Sequence, residues 1–85
     1  MVWIVQLARS AKRTLDRAPA RDRARLIEAL AAMADNPFGG DIGRLKNQPA
    51  TFRRRVGAFR IFFDVDPDRQ VVAVVDIRRR TSATY

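Results

Sequence analysis

Neither cysteine nor histidine occurs anywhere in the 85 residues, and that double absence removes several chemistries at once. There is no disulfide to staple the chain, no thiolate or imidazole to hold zinc, no Cys–His nucleophile pair and no Ser–His–Asp triad. Any reaction must use Arg, Lys, Tyr or carboxylates, no cofactor or metal is called for, and the core must hold by packing alone. Acidic residues are also scarce: 9 Asp and Glu stand against 17 Lys and Arg, a formal net charge of +8. No apolar run approaches the roughly eighteen residues of a membrane-spanning helix. Residues 1–5 lack the basic lead of a signal peptide, so a cytoplasmic location is expected. No repeat or linker interrupts the chain, and a single domain over residues 1–85 is expected.

What is present is the composition of a folded domain, 47% apolar and 31% charged, rather than that of a disordered tail. A field of this sign attracts polyanions: nucleic acid, an anionic membrane surface or an acidic protein segment. Charge alone does not choose among them.

Residues 2–7 read as a strand, with Val2, Trp3, Ile4 and Val5 suited to a pleated surface and both faces covered. Ser10 stands where an N-cap belongs, before a short helix over residues 11–17. Pro19 suits the first turn of a second helix, whose Leu26, Ile27, Leu30, Ala31, Met33 and Ala34 form its apolar stripe and which Asn36-Pro37 ends. Residues 38–50 read as a long loop with three glycines, a proline and Lys46. From Thr51 the period changes to two: Phe52, Arg54 and Val56 share one face and Arg53 and Arg55 the other. After Gly57, Phe59, Ile61, Phe63 and Val65 alternate with Arg60, Phe62 and Asp64. A proline turn at Asp66-Pro67-Asp68-Arg69 leads into residues 71–77, a nearly continuous apolar strand expected to be central. The fold class is therefore α+β: an antiparallel meander of three C-terminal strands, completed by the N-terminal strand, with a helical hairpin packed on one face.

Arginine is concentrated in two places. Residues 52–63 and 78–85 together hold Arg53, Arg54, Arg55, Arg60, Arg78, Arg79 and Arg80, a hairpin and a tail that present cations. Trp3, Phe59, Ile61 and Phe63 read as core, whereas Phe62, on the face of Arg60, is the better candidate for stacking on a base. Arg54, out of register with Arg53 and Arg55, reads as a solvated edge charge, and Lys46 as a loop cation for backbone phosphate.

The order of these pieces resembles the RelE/ParE superfamily of type II toxin–antitoxin toxins. The resemblance rests on a Trp in the first strand, Ser10 and Asn36-Pro37 bounding the helices, Leu45-Lys46, the run Arg53-x-Arg55-Val56-Gly57-x-Phe59-Arg60-Ile61-x-Phe63, and an Arg-rich ending with Tyr85. It implies a toxin held by an acidic antitoxin, with no membrane involved. In the RelE-like branch the activity is ribosome-dependent cleavage of mRNA; in the ParE-like branch it is inhibition of DNA gyrase by binding. A catalytically inactive nucleic-acid or partner-binding domain is the third possibility. Retention of Arg60, Arg79 and Tyr85 favours the nuclease. The resemblance then places Arg53, Arg55, Arg60, Arg79 and Tyr85 on the positions of the nuclease branch, with catalysis expected of Arg55, Arg60, Arg79 and Tyr85; beside it, RNA or phosphate contacts are expected of Lys46, Arg53, Arg54, Phe62, Arg78 and Arg80.

Metal-free RNA cleavage needs a base for the ribose 2'-hydroxyl, donors for the pentavalent phosphate and an acid for the leaving 5'-oxygen. Arginine supplies only the donors, each typically worth about 2.7–4 kcal/mol. The resemblance gives the base to Tyr85, with Lys46 as the other candidate. The acid is open between an arginine-assisted water and the ribosome.

Overall fold

The alternation read in residues 59–65 is the axis of the molecule. In the computed structural model, which describes residues 2–46 and 50–80, it forms the middle strand of a five-stranded sheet. The elements in chain order are β1 (Ile4–Leu7), α1 (Arg9–Arg17), α2 (Ala20–Asp35), β2 (Ile42–Arg44), β3 (Phe52–Val56), β4 (Phe59–Asp66) and β5 (Val71–Arg79). Their order across the sheet is β1-β5-β4-β3-β2. Strands β2 to β5 are antiparallel neighbours, and β1 joins β5 in parallel. The α+β class and the helix-covered meander are as expected, with a mixed rather than an all-antiparallel sheet.

Both helices lie on the face to which β4 directs Phe59, Ile61 and Phe63. These three, with Val72, Val74 and Ile77 of β5, Leu26 and Met33 of α2 and the small Ala11, Ala18 and Ala29, make one buried cluster. Every second residue of β4 is thus withdrawn from water, and Arg60, Phe62 and Asp64 are left on the opposite face, which no described element covers.

Five sequence readings are corrected. Strand β1 is an edge strand with one face open: Val5 and Leu7 pack on the core, while Ile4 is 57% exposed, because none of the described elements covers the far side. Ser10 lies inside α1 and does not cap it; Ala8 holds the cap position, and the Ser10 hydroxyl donates to the Val75 carbonyl at 3.1 Å. The α2 stripe is rotated towards Leu26, Ala29 and Met33, and Ile27 and Ala31 face outward. Leu26 and Met33 of the expected stripe are buried, Ala29 joins them, and Ile27 is left 51% exposed. A short strand, β2, occupies part of the expected loop, its backbone satisfied by β3. Finally, β5 is interior, but the middle strand is β4.

A β-bulge sits in β5. Phe62 pairs with Asp76 and Phe63 with Val74, so Val75 has no partner on β4. Regular pairing would set Asp76 opposite Ile61, in the core; the extra residue returns it to the open face and leaves Ile77 only 1% exposed. The Ser10 hydroxyl takes the Val75 carbonyl at this irregular point.

The β3–β4 turn is two residues long, with Gly57 at φ +56, a conformation that costs an L-residue with a Cβ roughly 1–2 kcal/mol. Urea unfolding should therefore show a loss of about 1 kcal/mol for Gly57→Ala and, for the fully buried Phe63→Ala, about 3–5 kcal/mol. Equal losses would contradict this division between turn strain and core.

Candidate nucleic-acid interface

Cross-strand register sorts the open face into rows. Arg55 on β3 stands opposite Arg60 on β4, which stands opposite Arg78 on β5. The row continues outward to Asp41, whose carbonyl accepts from the Arg55 amide at 2.9 Å. Adjacent strands are about 4.8 Å apart, so three like charges are stacked side by side on one face. Directly opposed like charges are destabilising in a sheet.

Carboxylates tether the ends of this row. Arg78 Nε donates to Asp76 Oδ2 at 2.7 Å, and Arg55 Nε lies 3.9 Å from Asp41 Oδ2. Arg60, in the middle, has no ion-pair partner among the described residues, and its Nε is buried without an acceptor. Beside Arg60 lies an open cleft of about 170 Å³ lined by Arg60, Phe62, Arg78, Arg79 and Arg80.

The neighbouring row runs Gly43, Arg53, Phe62, Asp76. The Arg53 guanidinium lies over Gly43, in the space a Cβ would take. The Arg78 guanidinium carbon sits over the Phe62 ring, 5.3 Å from its centroid.

Sequence comparison decides the family. The profile described as ParE toxin of type II toxin–antitoxin system, parDE, matches residues 5–83. The chain belongs to the ParE toxin family. Comparison with curated proteins gives no match. Three solved structures illustrate the fold. The RelE–RelB complex from Pyrococcus horikoshii aligns with a TM-score of 0.84 at 19% identity, over 98% of this chain and 100% of that one. The toxin–antitoxin complex RelBE2 from Mycobacterium tuberculosis gives 0.80 at 23% identity, over 94% and 100%. The isolated RelE toxin of E. coli gives 0.78 at 14% identity, over 95% and 87%. A type II toxin of the RelE/ParE superfamily is what sequence and fold together establish.

In this ParE-family toxin the expected site residues divide. Arg53, Arg55, Arg60, Phe62 and Arg78 share the open face, and Arg80, whose amide donates to the Ala58 carbonyl at 2.6 Å, lies at its rim. Arg79 falls opposite Phe59, with its guanidinium 5.9 Å from that ring, on the helix side of the sheet. It nevertheless borders the Arg60 cleft as well as a second cleft against Thr14, Arg17 and Pro19.

Arg54 also faces the helices, opposite Ile61. It is half-buried rather than solvated, and its guanidinium packs against Gly40, whose φ is +81. Exposed Lys46 follows β2 at the end of the β2–β3 ladder remote from the Gly57 turn. Tyr85 lies outside the described residues.

Two residues were missed, Asp41 and Asp76, which anchor the outer arginines of the row. Asp76 could have been suspected as the one carboxylate inside an apolar run; Asp41 gave no sign within a loop of glycines.

The row implies a cost in stability. Arg60→Met removes the central charge and the unpaired Nε, and the midpoint in urea should rise by an amount equivalent to about 1 kcal/mol. Added salt should narrow the gap by screening the remaining charges. A lower midpoint for Arg60→Met would show that the row is not self-repelling.

Proposed function

We propose that this toxin cleaves mRNA on the ribosome without a metal, in the cytoplasm where messages are translated. The observation that carries the reading is the Arg55–Arg60–Arg78 row, whose central cation has no ion-pair partner among the described residues, on a face that no described element covers. An RNA phosphate set over Arg60 relieves the repulsion along the row and receives donors from Arg60 and from Arg55 beside it. Extra charge developed on the pentavalent phosphate deepens that attraction, which is how a fixed donor array lowers a barrier.

The steps follow from what each residue type can do. The ribose 2'-hydroxyl attacks the adjacent phosphorus and the 5'-oxygen leaves, giving a 2',3'-cyclic phosphate and a 5'-hydroxyl. Arg55 and Arg60 hold the phosphate oxygens, with Arg79 and Arg80 at the cleft rim. Tyr85 takes the 2'-hydroxyl proton, an assignment that rests on resemblance. Lys46, at the far end of the ladder, meets the RNA backbone away from the reacting phosphate, as does Arg53. The proton for the leaving oxygen comes from a water held by arginine or from the ribosome.

An acidic antitoxin is the expected inhibitor, since the same face that holds RNA attracts carboxylates. Structures of RelE with RelB and of RelBE2 are toxin–antitoxin complexes, in keeping with such a partner. The second reading, a gyrase-directed inhibitor that acts by binding alone, is favoured by the match to the ParE profile.

Translation of a defined message with purified ribosomes, followed by mapping of its ends, separates the two. Toxin-dependent cuts within the translated region are expected, slowed roughly 10²- to 10³-fold by Arg60→Ala and abolished or nearly so by Tyr85→Phe. Intact messages together with gyrase-linked DNA breaks would overturn the nuclease reading. Full activity of Tyr85→Phe would overturn the base assignment.

A further inference from the structure

Within the proposed RNA reading, Arg78 stands apart from Arg55 and Arg60. Its Nε is committed to Asp76 Oδ2 at 2.7 Å, and its guanidinium carbon lies over the Phe62 ring at 5.3 Å. Asp76 is itself fixed, since its other carboxylate oxygen accepts from the Ile77 amide at 2.9 Å and the side chain is only 24% exposed. Arg78 is 64% exposed, so the guanidinium is held at one edge and over one ring while much of it remains open to solvent. A phosphate clamp needs free donor edges. A guanidinium with an edge occupied and a face open is instead suited to stacking, because unstacked RNA bases settle on aromatic rings and on arginine planes alike.

We infer that Phe62, Arg78 and Asp76 form a nucleobase platform, on which one base of a single-stranded RNA stacks while the neighbouring phosphate lies over Arg60. The pairing geometry supports the combination. Phe62 and Arg60 point to the same face two positions apart along β4, roughly 7 Å, close to the spacing between successive nucleotides in an extended strand. Asp76 is a positioning residue here: it holds the arginine over the ring and leaves the base to Arg78 and Phe62. The bulge at Val75 brings both partners to this face. The platform has no hydrogen-bonding edge dedicated to one base, so it selects for a stacked base and only weakly for its identity.

The test uses the intact chain and two fluorescent ribo-oligonucleotides of equal charge, one with bases throughout and one with a central run of abasic ribose. Anisotropy titrations at low salt should show that the base-bearing strand binds about tenfold more tightly, as a single stacked base usually provides. Arg78→Lys, which keeps the charge but loses the plane, and Asp76→Asn, which loosens the tether, should each bring the two affinities within about twofold. Phe62→Leu should do the same, and thermal unfolding of all three variants checks that the fold persists.

Equal affinity of the native chain for the two strands would overturn the platform, as would a tenfold preference that survives Arg78→Lys in a folded protein. The readout needs no cleavage. A base preference lost in the variants, alongside messages left intact on the ribosome, keeps the platform and rejects the nuclease.

Discussion

One parity relation governs both halves of the molecule. Phe59, Ile61 and Phe63 must all lie beneath the helices, and since side chains alternate strictly along a strand, Arg60 and Phe62 have no choice but the opposite face. A slip of one residue would bury two polar or cationic positions and expose three large apolar ones. Core and interface are therefore one specification, written on a single strand. Strand β5 obeys it only through an exception: Val72 and Val74 are in phase with the core, Asp76 and Arg78 are not, and the extra residue Val75 restores the phase. Keeping one carboxylate out of the apolar interior also assigns Arg78 to the open face and Arg79 to the helix side.

That assignment concentrates charge in a way a purely structural surface would avoid. Sheets usually place opposite charges or aliphatic pairs across from one another, and here three arginines face each other on adjacent strands. Asp41 and Asp76 offset the cost at the outer strands, and among the described residues Arg60 has no such carboxylate. The pattern has a plain consequence for binding. A surface whose positive charges already repel each other gains more from an approaching phosphate than one whose charges are individually paired, because the ligand removes the repulsion as well as supplying its own attraction.

The elements written in simple periods were legible without coordinates. Residues 59–65 and 52–56 gave β4, β3 and their turn, and Asn36-Pro37 marked the end of α2. On α2 the stripe read from spacing took in Leu26, Leu30 and Met33, which pack inward, but also Ile27 and Ala31, which face outward, and left out the buried Ala29, because two overlapping sets of apolar positions share this helix and spacing alone does not choose between them. The strand β2 was hidden by the glycines in and before it; Gly43 reads as a breaker, yet it pairs with Arg53 in the ladder, and the Arg53 guanidinium lies in the space a Cβ would take. Alternation placed Arg55, Arg60 and Phe62 correctly on a common face. It could not show that Arg78 completes their row and that Arg79 does not, since the shift depends on a bulge created by pairing with a distant strand. It did set Arg54 on the face of Phe52 and Val56, opposite Ile61, but it could not show the guanidinium packed against Gly40, which a loop distant in sequence brings there.

The same reasoning bears on how the two branches of the superfamily could share one scaffold. The core positions of β4 fix which residues are outward, and they do so regardless of what those residues are. Changing Arg60 or Phe62 therefore alters the chemistry of the open face with little effect on the helical side, while changing Phe59 or Ile61 would disturb both. A chain that belongs to the ParE family by sequence and superposes on RelE structures is not paradoxical under this constraint. The fold records the buried half of the alternation and leaves the exposed half free to differ. In this chain the exposed half carries an arginine row whose centre has no ion-pair partner among the described residues, and that feature, rather than the fold, is what the proposed nucleic-acid ligand rests on.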